Sequence, residues 1–500
     1  MESSIEVNLG CRMDSKNRQT PSLANLKLAL VTIWVFSAIL RFWRLSAFNT
    51  LVFDEVYYAV FANNYLIGKE FFNAHPPLSQ YIIAVGIWLS SLIPMSTEQV
   101  NGLAGSLLST FSYRWMNAIT GSFLPILIGA IAWQLTHRRS YAVLAALFAA
   151  LDGLFLVESR YALSNIYLVF LGLGGQLYLL LALANNSSGR KIKLTVSGIL
   201  LGACVGVKWN GLGFLLGIYI LWLVAWFLRC LNSRDRKGQI VFHHRAKPPK
   251  SSRPWLSNFT QLNLVSMGWY FALLPALTYG VIWIPHLLMN PTSGFWQIHQ
   301  EIFQFHRQVG GDEIHPYCSP WYSWLVMGRP IAYFYHTARN TSEIVPTYPP
   351  LPSGVGEIIY DVHAMGNPVL WWLSTLAIIL LAFVILLGLF RKGNQKFACS
   401  QSTCLMVYLV VNYGANLLPW SIVSRCTFIY HYMSASVFAL MGLAWIVEGW
   451  LTSRKIVYRQ IGISIVLLIV VAFCFWLPIY LGLPLSREGY KLRMFLPNWI

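Results

Sequence analysis

The residues with chemical potential gather in one short stretch. Phe53-Asp54-Glu55-Val56-Tyr57-Tyr58-Ala59 is followed by Phe71-Phe72-Asn73-Ala74-His75-Pro76-Pro77-Leu78. Neighbours one apart on a helix do not face the same way. Asp54 and Glu55 are therefore not the opposed acid and base of a glycosidase; one acts and the other orients. A carboxylate here can take a proton from a hydroxyl. The plainer alternative makes Asp54 an N-cap and Glu55 a partner of the helix dipole. Five basic residues come from five other segments: Arg41, Arg114, Arg160, Lys208 and Arg425. With His75 and His431 they suit an anion, most simply a lipid phosphate. Snorkelling and local pairing, such as Glu158 with Arg160 or Arg41 with headgroups, are the alternative for any one of them.

The elements that position these groups follow from composition. Of 500 residues, 56% are hydrophobic and 11% charged, against about 25% charged in a soluble domain. Mean hydropathy is +0.54. This excludes a soluble multidomain enzyme, a disordered chain and a fibre. Apolar runs of roughly 18–25 residues are too long for barrel strands, so the fold class is an all-α polytopic membrane protein. The eight cysteines are scattered and contain no C-x-x-C pair. Neither a disulfide framework nor a zinc site is expected. The polar N-terminus has no cleavable signal pattern.

Apolar runs fall at 25–46, 77–95, 113–136, 141–157, 162–184, 194–207, 211–230, 265–285, 368–390, 402–420, 427–449 and 460–480. The positive-inside rule chooses among topologies. If 77–95 lies in the interface, most of the 36 Lys and Arg fall on one side. Residues 231–262 hold seven Lys/Arg and one acid, whereas 286–367 hold three Arg and six acids. Eleven spans are expected, with interfacial helices in the first outer loop. The organisation is a cytoplasmic tail over 1–24, then a module over 25–285 with its first outer loop at 47–112 and a basic cytoplasmic loop at 231–264. An outer loop at 286–367, a four-helix region at 368–480 and an outer tail at 481–500 follow. The basic charge is orientation signal and lipid contact, not a nucleic-acid surface. A loop as long as 286–367 is expected to be functional.

Taken in order, Asp54-Glu55, His75-Pro76-Pro77-Leu78 and Tyr113-Arg114 resemble the protein O-mannosyltransferase family of the GT-C superfamily. Ser159-Arg160-Tyr161 with Asn165, Val207-Lys208-Trp209-Asn210-Gly211-Leu212, and Trp321-Tyr322-Ser323-Trp324 with Gly328-Arg329-Pro330 fit the same pattern. So do Gly366-Asn367-Pro368 and Phe428-Ile429-Tyr430-His431-Tyr432. The resemblance runs over roughly 30–480. Eukaryotic members carry a β-trefoil MIR domain that 286–367 is too short to hold, so the resemblance is to the bacterial branch.

The resemblance implies a GT-C fold and an inverting transfer of mannose from a polyprenyl-phosphate-mannose donor to Ser/Thr hydroxyls of secreted or membrane proteins. It implies Asp54 as base and Glu55 as the orienting carboxylate. Arg114, Lys208 and Arg425 would bind the donor phosphate, with Arg41, His75, Arg160 and His431 in support. No D-x-D triplet occurs, and neither a metal nor a cofactor is expected. Membrane lipids are the other partners, and the enzyme acts alone or as a dimer. Two rivals stand beside this reading. One is a GT-C transferase moving aminoarabinose or arabinose to a lipid or glycan. The other is a transporter, which would place charge near the midplane and repeat its helices.

Overall fold

Apolar runs in lipid must satisfy their own backbone groups, and each of these runs becomes helical. The computed structural model describes residues 23–93, 100–184, 188–233, 255–308, 315–338, 358–390 and 400–500. The first half holds α1 (Leu23–Phe42), α2 (Glu55–Ile67), α3 (Leu78–Ser91), α4 (Thr110–Thr136), α5 (Arg139–Ala150) and α6 (Gly153–Glu158). It continues with α7 (Asn165–Leu183), α8 (Arg190–Val205), α9 (Leu212–Ser233), α10 (Leu264–Gly268) and α11 (Leu274–Met289), the last two joined by a π turn. The second half holds α12 (Phe295–Gln308), α13 (Pro368–Phe390), α14 (Gln401–Leu417), α15 (Met433–Leu451), α16 (Ile456–Leu481) and α17 (Arg487–Lys491). The N-terminal tail and most of the basic 231–264 loop lie outside the described residues.

Among the described residues, nine helical stretches are long and apolar enough to cross a membrane. The other two expected spans, 141–157 and 194–207, are the short α5 and α8. The 141–157 run is not one helix. Asp152 caps a new one by accepting from the Phe155 N–H at 2.9 Å, because its short side chain competes with a continuing helix for backbone donors. The 77–95 run forms α3, whose 14 residues reach about 21 Å at 1.5 Å each, short of a hydrocarbon core. It packs against α2 and α4. Gly202 marks a close approach of α8 to α11: a Cβ there would meet the Pro275 carbonyl oxygen at 2.6 Å.

The 286–367 loop contains strands that the helical reading did not include. β1 (Val100–Asn101) and β2 (Leu108–Ser109) form a small ribbon in the first loop. β3 (Ile331–Ala338) and β4 (Ile358–Ala364) pair antiparallel, and β5 (Leu485–Ser486) from the tail adds to β4. Both faces of β4 are buried from Ile359 to Ala364, so no alternation of burial marks it as a strand. On β4, Ile359, Asp361 and His363 face one way, while Tyr360, Val362 and Ala364 face the other. The Asp361–His363 pair is enclosed, with Nδ1 to Oδ2 at 2.9 Å. Gly482 ends α16 at φ +65°, and a Cβ there would sit 2.5 Å from the Phe48 ring. Only glycine meets both demands.

The expectation of no disulfide is corrected. Cys318 is bonded to Cys426 across 108 residues of sequence, and Cys404 is disulfide-bonded as well. A spacing this wide leaves no local signature, since bridging depends on Cα proximity in the fold.

Candidate active site

Two arginines build the turn that follows α1. The last carbonyls of a helix have no intrahelical donor. Arg160 supplies donors: its Nη1 reaches the carbonyls of Leu40 at 2.7 Å, Arg41 at 3.1 Å and Trp43 at 2.8 Å. Arg114, on α4, gathers the next stretch. Its Nη1 donates to the Leu45 and Phe48 carbonyls at 3.2 and 2.9 Å, and its Nη2 to Thr50 at 2.8 Å. Nε and Nη2 grip Glu55 at 2.9 and 2.8 Å. Glu55 also accepts the backbone N–H groups of Val52 and Ala162, each at 2.8 Å. Both side chains are fully buried. A guanidinium has five N–H donors, and here all five are engaged.

That closed pair aims its neighbour elsewhere. Phe53 adopts φ +52°, a conformation that costs roughly 1–3 kcal/mol in a non-glycine residue unless its surroundings impose it. The surroundings are the Tyr333 ring, stacked on Phe53 at 4.1 Å with 8° between planes. Asp54 stands at the N-cap position of α2, yet its side chain makes no capping bond. The capping alternative therefore fails for Asp54. Burial pushes its carboxyl up to about 6, and the Lys208 ammonium opposes that rise.

Lys208 enters from the turn after α8. Its Nζ donates to Asn165 Oδ1 at 2.9 Å and lies 5.7 and 5.2 Å from the ring centres of Tyr58 and Tyr430. Asn165 passes the link to Glu158 Oε2 at 3.1 Å, and Tyr333 donates its O–H to Glu158 Oε1. Burial draws the Lys208 ammonium down, against the opposing pull of Asp54 and Glu158. Arg425 shares this space. It acts electrostatically on Lys208, and Tyr58 and Tyr430 act on it. Among the described residues, its guanidinium donates one hydrogen bond, to the next carbonyl, that of Cys426, at 3.1 Å. His75 and His306 face each other at 5.2 Å. Both imidazoles are lowered, first by burial and then by the Lys208 and Arg425 charges. His431 stacks on Trp324 at 5.9 Å and packs 4.4 Å from Trp420.

The structure thus brings Asp54, Lys208, Arg425, His75 and His431 into one region. It holds Glu55 and Arg114 just behind as a closed ion pair, and it gives Arg160 to the end of α1. Arg41 does not partner the acidic pair; its Nη1 donates to Ser37 Oγ at 2.7 Å inside the helix packing. Nor does Glu158 pair with Arg160. Tyr333, Tyr58, His306 and the Glu158–Asn165 link were not among the expected site residues. Glu158 was visible as a carboxylate beside an apolar run. Tyr333 and His306 had no signal, since aromatic and basic residues in an outer loop are ordinary. Among the described residues, no three His, Cys, Asp or Glu side chains converge to hold a metal ion.

An acidic turn after the first long helix, beside a basic pocket on a long helical bundle, defines a class of fold before any family. In the Saccharomyces cerevisiae protein O-mannosyltransferase Pmt1–Pmt2 complex bound to the sugar donor, one chain superposes with a TM-score of 0.74 at 14% identity, over 97% of this chain and 93% of that one. The apo oligosaccharyltransferase of Archaeoglobus fulgidus follows at 0.50 and 13%, over 95% and 58%. These likenesses show the GT-C fold. Residues 31–276 match the family described as dolichyl-phosphate-mannose-protein mannosyltransferase. Residues 291–499 match the C-terminal four-transmembrane region of protein O-mannosyltransferase. The chain belongs to the protein O-mannosyltransferase family and is an integral multi-pass membrane protein. A Corynebacterium glutamicum polyprenol-phosphate-mannose–protein mannosyltransferase is 24% identical over 93% of this chain and 92% of its own length. The Mycolicibacterium smegmatis enzyme of the same description is 23% identical over the same shares.

Proposed function

We propose that the chain transfers mannose from polyprenyl-phosphate-mannose to Ser/Thr hydroxyls of secreted or membrane proteins, with inversion at the anomeric carbon. The observation that carries the reading is the Asp54 carboxylate, uncapped and directed toward the region that holds Lys208 and Arg425. Asp54 takes the proton of the acceptor hydroxyl as its oxygen attacks the anomeric carbon. The bond to the phosphate oxygen breaks on the opposite face. Lys208 and Arg425 receive the charge that develops on the leaving phosphate, in a site where water is scarce and such contacts are strong. A monophosphate leaves readily, so one base serves. Arg114 has no N–H left for a phosphate, and we assign it to holding Glu55, which fixes the turn that presents Asp54. His75 and His306, drawn toward the neutral form, are suited to hydrogen bonds with the sugar or phosphate. Arg41, Arg160 and His431 are assigned to the framework.

The pocket is proposed to open at the outer face of the cell membrane, with the N-terminus cytoplasmic. The support is the basic residues at the helix ends remote from Asp54. The test is transfer of radiolabelled mannose from synthetic polyprenyl-phosphate-mannose, with and without a Ser/Thr-rich peptide. Label on the peptide that is lost in Asp54→Asn supports the proposal. Label confined to the lipid fraction makes the chain a lipid-modifying relative.

A further inference from the structure

We infer that the Cys318–Cys426 disulfide is a positioning device that fixes Arg425 over the donor phosphate. The inference rests on the proposed reading of the pocket and deepens it. Arg425 stands where an exposed stretch becomes anchored. Ser421 to Ser424 are exposed, and Cys426 and Thr427 are buried. Its backbone forms only an isolated bridge, outside any helix or longer strand: the preceding 3-10 turn ends at Ile422 and the next begins at Ile429. Among the described residues, the guanidinium's one hydrogen bond runs to the adjoining Cys426 carbonyl. Lys208, in contrast, is held by Asn165 and two aromatic rings.

What fixes Arg425 is therefore its next residue. Cys426 is bonded to Cys318. Beside that bond, Ser319 N–H donates to the Thr427 carbonyl at 2.8 Å and Thr427 Oγ1 to the Ser319 carbonyl at 2.7 Å. The Cys318 side of the clamp is itself firm. Trp324 Nε1 donates to Ser319 Oγ at 2.9 Å, and Trp371 Nε1 on α13 donates to the Trp324 carbonyl at 2.7 Å. The outer loop is thereby locked to the bundle, and the segment carrying Arg425 is locked to the outer loop. Opening the bond leaves the two Ser319–Thr427 hydrogen bonds and the isolated bridge at Arg425 to hold a cation whose anion contacts need a fixed geometry.

The experiment uses the full chain in proteoliposomes, with polyprenyl-phosphate-mannose as donor and polyprenyl phosphate alone as competitor. TCEP opens the bond to two thiols, the phosphine taking its oxide oxygen and the thiols their protons from water. The expected result is a donor kcat/KM lowered about tenfold, one lost charge-assisted contact, with acceptor KM little changed. The inhibition constant of polyprenyl phosphate shifts by the same factor. Cys318→Ser/Cys426→Ser matches the reduced wild type and ignores TCEP, which separates this bond from the one at Cys404. In Arg425→Ala, TCEP adds nothing, because the two act as one unit. Where the double variant does not fold, reduced wild type that keeps its gel-filtration peak carries the test. An unchanged donor kcat/KM in fully reduced protein overturns the inference, as does an unchanged inhibition constant of polyprenyl phosphate or an Arg425→Ala variant that still responds. Reduction-sensitive binding of polyprenyl phosphate without any mannose transfer keeps the clamp and removes the reading of the reaction.

Discussion

At the scale of the residue, the adjacent carboxylates divide their labour by geometry. Glu55 accepts four hydrogen bonds and faces Arg114, whereas Asp54 has none from the cap. General-base catalysis contributes about 10² to 10⁴-fold, and Asp54→Asn is expected to lose activity in that range without unfolding. A base works unprotonated, and the Asp54 carboxyl is held at about 6. The kcat/KM of the wild type should be level above that pH and fall tenfold per unit below it. A profile flat down to pH 5 would remove Asp54 as base. Arg114→Lys and Glu55→Gln should behave differently. Breaking a fully buried pair costs about 3–5 kcal/mol, so both variants are expected to lower the thermal midpoint markedly in a fluorescence melt. The acidic pair and the cations Lys208 and Arg425 were legible as residue types. The duty of Arg114 was not: an arginine looks the same in sequence whether it serves carbonyls or a phosphate.

At the scale of the element, the β3–β4 hairpin reaches the turn that carries Asp54. Tyr333 on β3 stacks on Phe53 and bonds Glu158, so it touches both the strained residue beside Asp54 and the chain of groups behind Lys208. The two contacts separate experimentally. Tyr333→Phe keeps the stack and removes one hydrogen bond, worth about 1 kcal/mol net; donor kcat/KM should fall a few-fold. Tyr333→Ala removes the ring that holds Phe53 at φ +52°, and its loss should be at least ten times larger. Equal losses would mean that the stack does not present Asp54. Asn367 shows a similar economy, donating to the carbonyls of Leu151 at 3.3 Å and Ile469 at 2.9 Å. The motif Gly366-Asn367-Pro368 was visible, but its use as a stitch between α5, α13 and α16 needed the fold. The helices were legible because apolar length is a local property. The sheet was not, since β3 and β4 are far apart in sequence and β5 comes from the tail, and pairing of that kind is invisible to periodicity.

At the scale of the whole molecule, the helices run between an end that holds the site and an end that holds the charge. Arg114 stands in the first turns of α4, which closes at Thr136 just before Arg138 and Arg139. Asn165 opens α7, and Arg190, Lys191 and Lys193 follow its far end. Lys208 precedes α9, which leads into the basic 231–264 loop. His431 precedes α15, which ends before Arg454 and Lys455. Four helices thus agree on one polarity, which under the positive-inside rule supports the proposed cytoplasmic placement of the charged end. Two positions test it. Cys230 is exposed near the charged end of α9, whereas Leu492, 61% exposed, lies in the tail after α16. In intact cells a membrane-impermeant maleimide should label Leu492→Cys, while Cys230 should react only after permeabilisation. Cys474, exposed on α16, is replaced by Ser in both proteins so that it does not compete for the label. Labelling of Cys230 alone in intact cells would invert the molecule. It would turn the pocket around Asp54 toward the cytoplasm, away from secreted acceptors.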